Sequence, residues 1–281
     1  MKIGVITDCF KKTHEEGIRL AASLGLQGVQ IYATTGAFSP ETLTDEKKAA
    51  YKRLLSEEGV LISALCGDLG GYGFEREEDN PARVEKTKKI IDLAVEFGTK
   101  VVTTHIGVIP EDKNEPRYEV MLSALKECGR YAAQKGVTLA IETGPEKAAT
   151  LLAFLKDTDG GVGVNLDPAN FVMVTGQDPV EAVYLLKDYI VHTHAKDGVR
   201  LDKNQDATAV YHAFAVGGVD ALNACKGFQE LPLGKGEVDW DAYLAALDKI
   251  GYEGFLTIER ECGDDPQADV VLAVNFLKSK L

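Results

Sequence analysis

Ile190–Asp197, IVHTHAKD, begins as an apolar strand and finishes in polar groups. Side chains alternate faces along a strand, so Val191, Thr193 and Ala195 share one face while His192, His194 and Lys196 share the other. Two of the five histidines and a lysine therefore point the same way, and a face of that kind does not belong in a dry core unless its charges are partnered. One such strand is also what a solvated strand end looks like. The reading is decided by repetition, because other segments of the chain end in the same manner.

In Val137–Glu142, Val137, Leu139 and Ile141 form the apolar face, and Thr138, Ala140 and Glu142 the other. In Val162–Asp167 the second face is Gly163, Asn165 and Asp167; in Phe255–Glu259 it is Phe255, Thr257 and Glu259. In Val101–Ile106, His105 falls opposite Val102 and Thr104. Further apolar strands read at Lys2–Thr7, Gly28–Ala33 and Leu61–Cys66. Helical spacing lies between them, at His14–Leu24, Thr44–Glu58, Pro81–Phe97, Tyr118–Ala133, Ala148–Leu155, Pro179–Leu186, Asp239–Ile250 and Ala268–Leu277. Strands and helices that alternate with short links make parallel β-α units, and about eight of them in roughly 250 residues is the size of a closed (β/α)8 TIM barrel. A doubly wound sheet is the rival, but the turn after the first strand is Asp8-Cys9-Phe10, with no GxGxxG or phosphate-loop pattern. With no linker or low-complexity segment, residues 1–281 read as a single α/β domain, whose one long interruption is Gly198–Val238.

Barrel active sites lie at the C-terminal ends of the strands. There Glu142, Asp167, His194 and Glu259 should converge from consecutive strands. Three carboxylates packed together cannot all stay ionised without a cation, and a divalent metal supplies one. Oxygen-rich ligation with one imidazole favours Mn2+, with Mg2+, Co2+ or Zn2+ as alternatives. Lys196 and His105 are candidates for oxyanion stabilisation or proton relay, or else for ion pairs with strand-end carboxylates. His192, deeper on the same face, reads as a hydrogen-bonded core histidine, and Glu146 as a loop charge. Gly67–Phe74 reads as a loop lining the pocket, with Tyr72 or Phe74 covering the ligand. Gly234-Lys235-Gly236 could mimic a phosphate loop, on the strength of a short glycine pair.

Composition limits the partners. The formal charge is −13 with no basic cluster, which speaks against nucleic acid and against an anionic membrane surface. No apolar run is long enough to cross a bilayer, and MKIGVITDCF enters a strand with no signal-peptide pattern. Five scattered cysteines without a CxxC pair fit a reducing cytoplasm. A small-molecule partner is expected, and homo-oligomerisation is left open.

IETG (141–144), NLDPAN (165–170), HTHAKD (192–197), GKGEVDW (234–240) and IERE (258–261) together resemble the xylose isomerase-like TIM barrels, which include sugar-phosphate isomerases and epimerases, ketose 3-epimerases and endonuclease IV. The resemblance covers essentially the whole chain. It implies that Glu142, Asp167, His194 and Glu259 are metal ligands, and that Glu142 and Glu259 exchange the proton through a cis-enediolate. It also implies that Arg200 binds substrate oxygens and that Asn170 stands where the epimerases often carry a substrate-contacting histidine. Cys66, ending the third strand, joins Asn170 and Arg200 around the substrate volume. The further histidines of endonuclease IV are missing apart from His105. The implied activity is epimerisation or isomerisation of a sugar, keto-sugar or polyol. The alternatives are a lyase or dehydratase on the same site, for example elimination from a 3-keto-glycoside, and a non-catalytic sugar-binding barrel.

Overall fold

The computed structural model describes residues 1–281, the side chains at 219, 222 and 223 excepted. In chain order it runs β1 (Lys2–Ile6), α1 (His14–Ser23), β2 (Gly28–Tyr32), α2 (Asp45–Glu58), β3 (Leu61–Cys66), α3 (Asn80–Phe97), β4 (Val101–Thr104), α4 (Pro116–Gln134) and β5 (Thr138–Glu142). It continues through α5 (Ala148–Asp157), β6 (Val162–Leu166), the single turn α6 (Pro168–Asn170), α7 (Pro179–Leu186), β7 (Ile190–Ala195), β8 (Asp197–Arg200), α8 (Ala207–Ala224), β9 (Phe228–Leu231), α9 (Trp240–Lys249), β10 (Phe255–Ile258) and α10 (Pro266–Lys280). Eight parallel strands close in the order β1-β10-β7-β6-β5-β4-β3-β2, which is the (β/α)8 barrel that the alternation implied. No helix among the described residues is long and apolar enough to cross a membrane.

Local chemistry sets the helix ends. Thr13 caps α1 in a reciprocal box with Glu16, so both orphan amides are satisfied. Gly59 and Gly98 end α2 and α3 at φ 66° and 75°, a conformation that a side chain disfavours. The outward faces of the strands carry Val29, Ile31, Val102, Leu139, Val164 and Leu256, all fully buried against the helices.

The inward faces stack in layers. Phe255 fills the N-terminal end of the barrel because Gly4 and Gly28 beside it carry no side chain. A Cβ on Gly28 would lie 2.5 Å from Phe255 Cε1. Gly28→Ala should therefore destabilise the fold by about 1–3 kcal/mol through overpacking; a midpoint of urea unfolding equal to that of the parent would show that the ring can move aside. Above Phe255 lies a polar layer. Its neutral His192 is held by Asn165 Oδ1 (2.9 Å) and Thr257 Oγ1 (3.0 Å), as expected of a core histidine. Burial, with His194 next to it, keeps the His192 imidazole well below its usual pKa.

The long interruption is structured. β8 and β9 pair antiparallel outside the barrel, with Asp197 opposite Leu231 and Arg200 opposite Phe228, and α8 spans between them across the mouth. Asp197 anchors this excursion. Its buried carboxylate accepts from the amides of Gly198 (2.9 Å), Gly234 (2.9 Å) and Val238 (3.2 Å) and from Trp240 Nε1 (3.1 Å).

Candidate metal centre and cavity

The top layer brings together Glu142, Asp167, His194 and Glu259, as the alternation predicts. One possible ligand atom from each lies within 4.8 Å of the other three, and all four side chains are buried. His194 Nδ1 is 2.9 Å from Glu259 Oε2, 3.4 Å from Glu142 Oε1 and 3.7 Å from Asp167 Oδ2. The ring is oriented from behind: Gln30 Oε1 lies 3.1 Å from Nε2, and the Gln30 amide is itself fixed by donating to Thr103 Oγ1. Nε2 donates to Gln30 and Nδ1 is turned toward the carboxylates, where Glu259 and Glu142 hold the imidazole well above its usual pKa against the effect of burial; a divalent ion would take the place of the Nδ1 proton, and ligating histidines are commonly held in this way.

Asp167 is divided between two tasks. Its Oδ1 accepts from the amides of Ala169 (2.8 Å) and Asn170 (3.1 Å) and starts α6. Its Oδ2 is buried with no hydrogen-bond partner, and so is Glu259 Oε2, whose approach to His194 is out of line for a hydrogen bond. Buried anionic oxygens without donors are costly. Three carboxylates and one imidazole aimed at a common point fit a hard or borderline divalent cation.

Burial alone would raise the two glutamates. Instead His194 and His105 hold Glu142 below the ordinary carboxylate value, and Lys196 and His194 do the same for Glu259. The sequence reading of packed carboxylates that need a cation counted like charges alone; here His194, His105 and Lys196 already place positive charge beside them. His105 is opposed by burial but carried up to about 10 by Glu142 and Asp68; its Nδ1 is 3.0 Å from Asp68 Oδ2, and its Nε2 3.9 Å from Glu142 Oε1.

Above the cluster opens a cavity of about 600 Å³. His105, Cys66, Asn170 and Lys196 line it, as anticipated. Asn170 Nδ2 donates to Thr143 O (2.9 Å), and burial together with Asp68 keeps the Cys66 thiol protonated. Lys196 is ion-paired to Glu261 (2.5 Å) and Glu259 (3.4 Å). Arg200 is not brought to this cavity. Its guanidinium folds back onto the carbonyls of Val174, Asp202 and Lys203 and lines a smaller neighbouring pocket. Glu146 is no loop charge: it is buried, Oε2 lacks a partner, and burial pushes its carboxyl up to about 8.

The cover also differs from expectation. Phe74 is packed in the core and Tyr72 stacks on Arg76, and neither lines the cavity. Tyr211 and Phe214 of α8 provide the cover, with ring centroids 6.0 and 6.2 Å from that of His105. The sequence reading also missed Glu230 on β9. Its Oε1 accepts from Arg260 Nη1 (2.6 Å) and from the amides of Glu261 (3.1 Å) and Cys262 (3.4 Å), tying the excursion to the segment after β10. The aromatic run Tyr211-His212-Ala213-Phe214 was the available signal for a structured cover.

The profile of the family described as xylose isomerase-like TIM barrel matches residues 18–280. A crystal structure of a xylose isomerase domain protein from Planctomyces limnophilus superposes with a TM-score of 0.80 at 28% identity, covering 99% of this chain and 95% of that one. Inosose dehydratase from Geobacillus thermodenitrificans is 24% identical over 271 residues, 89% of this chain and 82% of that protein. L-ribulose-5-phosphate 3-epimerase UlaE from Shigella flexneri is 25% identical over 275 residues, 95% and 89% respectively. A further relative, the uncharacterized protein MJ1311 from Methanocaldococcus jannaschii, is 26% identical; that match spans 73% of this chain and 65% of the archaeal protein.

Proposed function

The chain belongs to the xylose isomerase-like TIM barrel family, and on that premise we propose that it is a divalent-metal-dependent epimerase or isomerase of a sugar, keto-sugar or related polyol. The observation that carries this reading is the pair Glu142 and Glu259 on one buried cluster. Their strands, β5 and β10, are three places apart round the barrel, so the two carboxylates reach the same point from different sides. One can take a proton from carbon and the other return it on the opposite face.

Glu142, Asp167, His194 and Glu259 would hold the ion, Mn2+ by preference, with Mg2+, Co2+ or Zn2+ as alternatives. A bound divalent ion supplies Lewis-acid polarisation of a carbonyl, which acidifies the adjacent C–H. His105, backed by Asp68, is placed to donate to a developing oxyanion beside Glu142. Lys196 holds Glu259 ionised, ready to act as base. A small-molecule substrate and a cytoplasmic location belong to the same proposal; the scattered cysteines with no CxxC pair, Cys9, Cys66 and Cys128 among them buried, support the second.

A lyase or dehydratase is the second reading, favoured by the match to inosose dehydratase, which covers 89% of this chain against 95% for the epimerase. Turnover of keto-sugars and cyclitols in D2O by the Mn2+-loaded protein separates the two. Deuterium at the carbon next to the carbonyl, with the group count intact, is expected. An unsaturated product or a released group assigns the lyase, and no exchange with any member of the panel overturns both.

A further inference from the structure

The wall of the cavity says what else the ligand carries, given the reading above. Carboxylates outnumber ammonium and guanidinium groups in its lining: Asp68, Glu142, Glu230, Glu259, Glu261 and Asp264 face Lys196, Lys226 and Arg260. The inner basic groups are already engaged, Lys196 by Glu261 and Glu259, Arg260 by Glu230 (2.6 Å) and Asp269 (2.8 Å), and His105 by Asp68 (3.0 Å). That leaves Lys226, exposed on the rim.

In barrels, phosphate groups are often gripped by the loops after the last two strands. Here that place is filled by the protein itself. Gly234-Lys235-Gly236 offers its amides as a phosphate loop would, but the Gly234 amide is spent on Asp197 Oδ2 (2.9 Å). Even a Cβ on Gly236 would collide with Asp197 Oδ1. An internal carboxylate thus fills this turn, none of whose three residues lines the cavity, and no arginine cluster stands among the described residues that do.

Part of the cavity lining is apolar. Met173, Val174, Leu201, Val210, Phe214 and Phe228 form it, and Leu201 stays 60% exposed. Hydroxyls pressed against such a wall lose water without gaining partners. An apolar substituent gains there by burial.

We infer that the cavity takes an uncharged keto-sugar or cyclitol bearing an apolar, aglycone-like group, with the ring over Glu142 and Glu259 and the substituent against Phe214 and its neighbours, and that it rejects phosphorylated sugars. This rests on the functional proposal above and narrows its substrate class.

The test is calorimetric titration of the full-length Mn2+-loaded protein with three ligands: methyl 3-keto-glucoside, phenyl 3-keto-glucoside, and the 6-phosphate of the methyl compound. The phenyl compound should bind at least about tenfold more tightly than the methyl one, and the phosphate at least about tenfold more weakly. Phe214→Ser should cut the phenyl advantage to about threefold or less. Equal affinity for the two glycosides, or tighter binding of the phosphate, overturns this inference and leaves the isomerase reading standing. Failure of all three to bind, together with absence of deuterium exchange into any sugar, removes both.

Discussion

Glu259→Gln is expected to lower turnover by at least about a thousandfold and to weaken Mn2+ binding in the same variant. The amide keeps the shape of the side chain but cannot act as a base, and general-base removal alone costs about a hundred- to ten-thousandfold. It also takes a formal charge from a cluster in which Asp167 Oδ2 is buried without a hydrogen-bond partner and Glu259 Oε2 faces the Lys196 ammonium at 3.4 Å. The substitution acts on Lys196 too, leaving its ammonium with Glu261 and the more distant Glu230. Metal titration and initial rates on the folded variant, verified by circular dichroism, are the measurements. Retention of a tenth of the parent activity at full metal occupancy would exclude Glu259 as the proton-transferring group.

The four converging side chains were legible because a strand has a period of two. Once Val, Leu and Ile are placed outward in Val137–Glu142 and Val162–Asp167, Glu142 and Asp167 must point inward, and the barrel does the rest. Lys196 and His105 were legible for the same reason. The outer half of the site was not. Glu230 lies on a strand that pairs outside the barrel, so no alternation rule aims it at Arg260. Arg200 was assigned by the family resemblance, but here its guanidinium turns onto the carbonyls of Val174 and Lys203. Glu146 read as a loop charge because burial of a loop residue depends on what folds over it, and that is settled only in three dimensions.

The second large effect is one of stability. Asp197→Ala is expected to cost about 3–5 kcal/mol, because three backbone amides and the Trp240 indole lose a charged acceptor inside the protein. For a chain of this size the melting temperature should fall by roughly 10 °C. Asp197→Asn should lie between, since its amide restores one acceptor oxygen and adds a donor that faces other donors. The cover formed by α8 should loosen first, so protease cleavage within residues 198–238 should precede global unfolding. A loss below about 1 kcal/mol in urea titration would show that water replaces the carboxylate without penalty.

Phe255, wedged between Gly4 and Gly28, has a consequence for traffic. With that ring at the N-terminal end, the cavity over Glu142, Glu259 and His194 opens on the opposite, C-terminal side of the barrel. Ion and ligand would then share one approach, and each would enter and leave past the other.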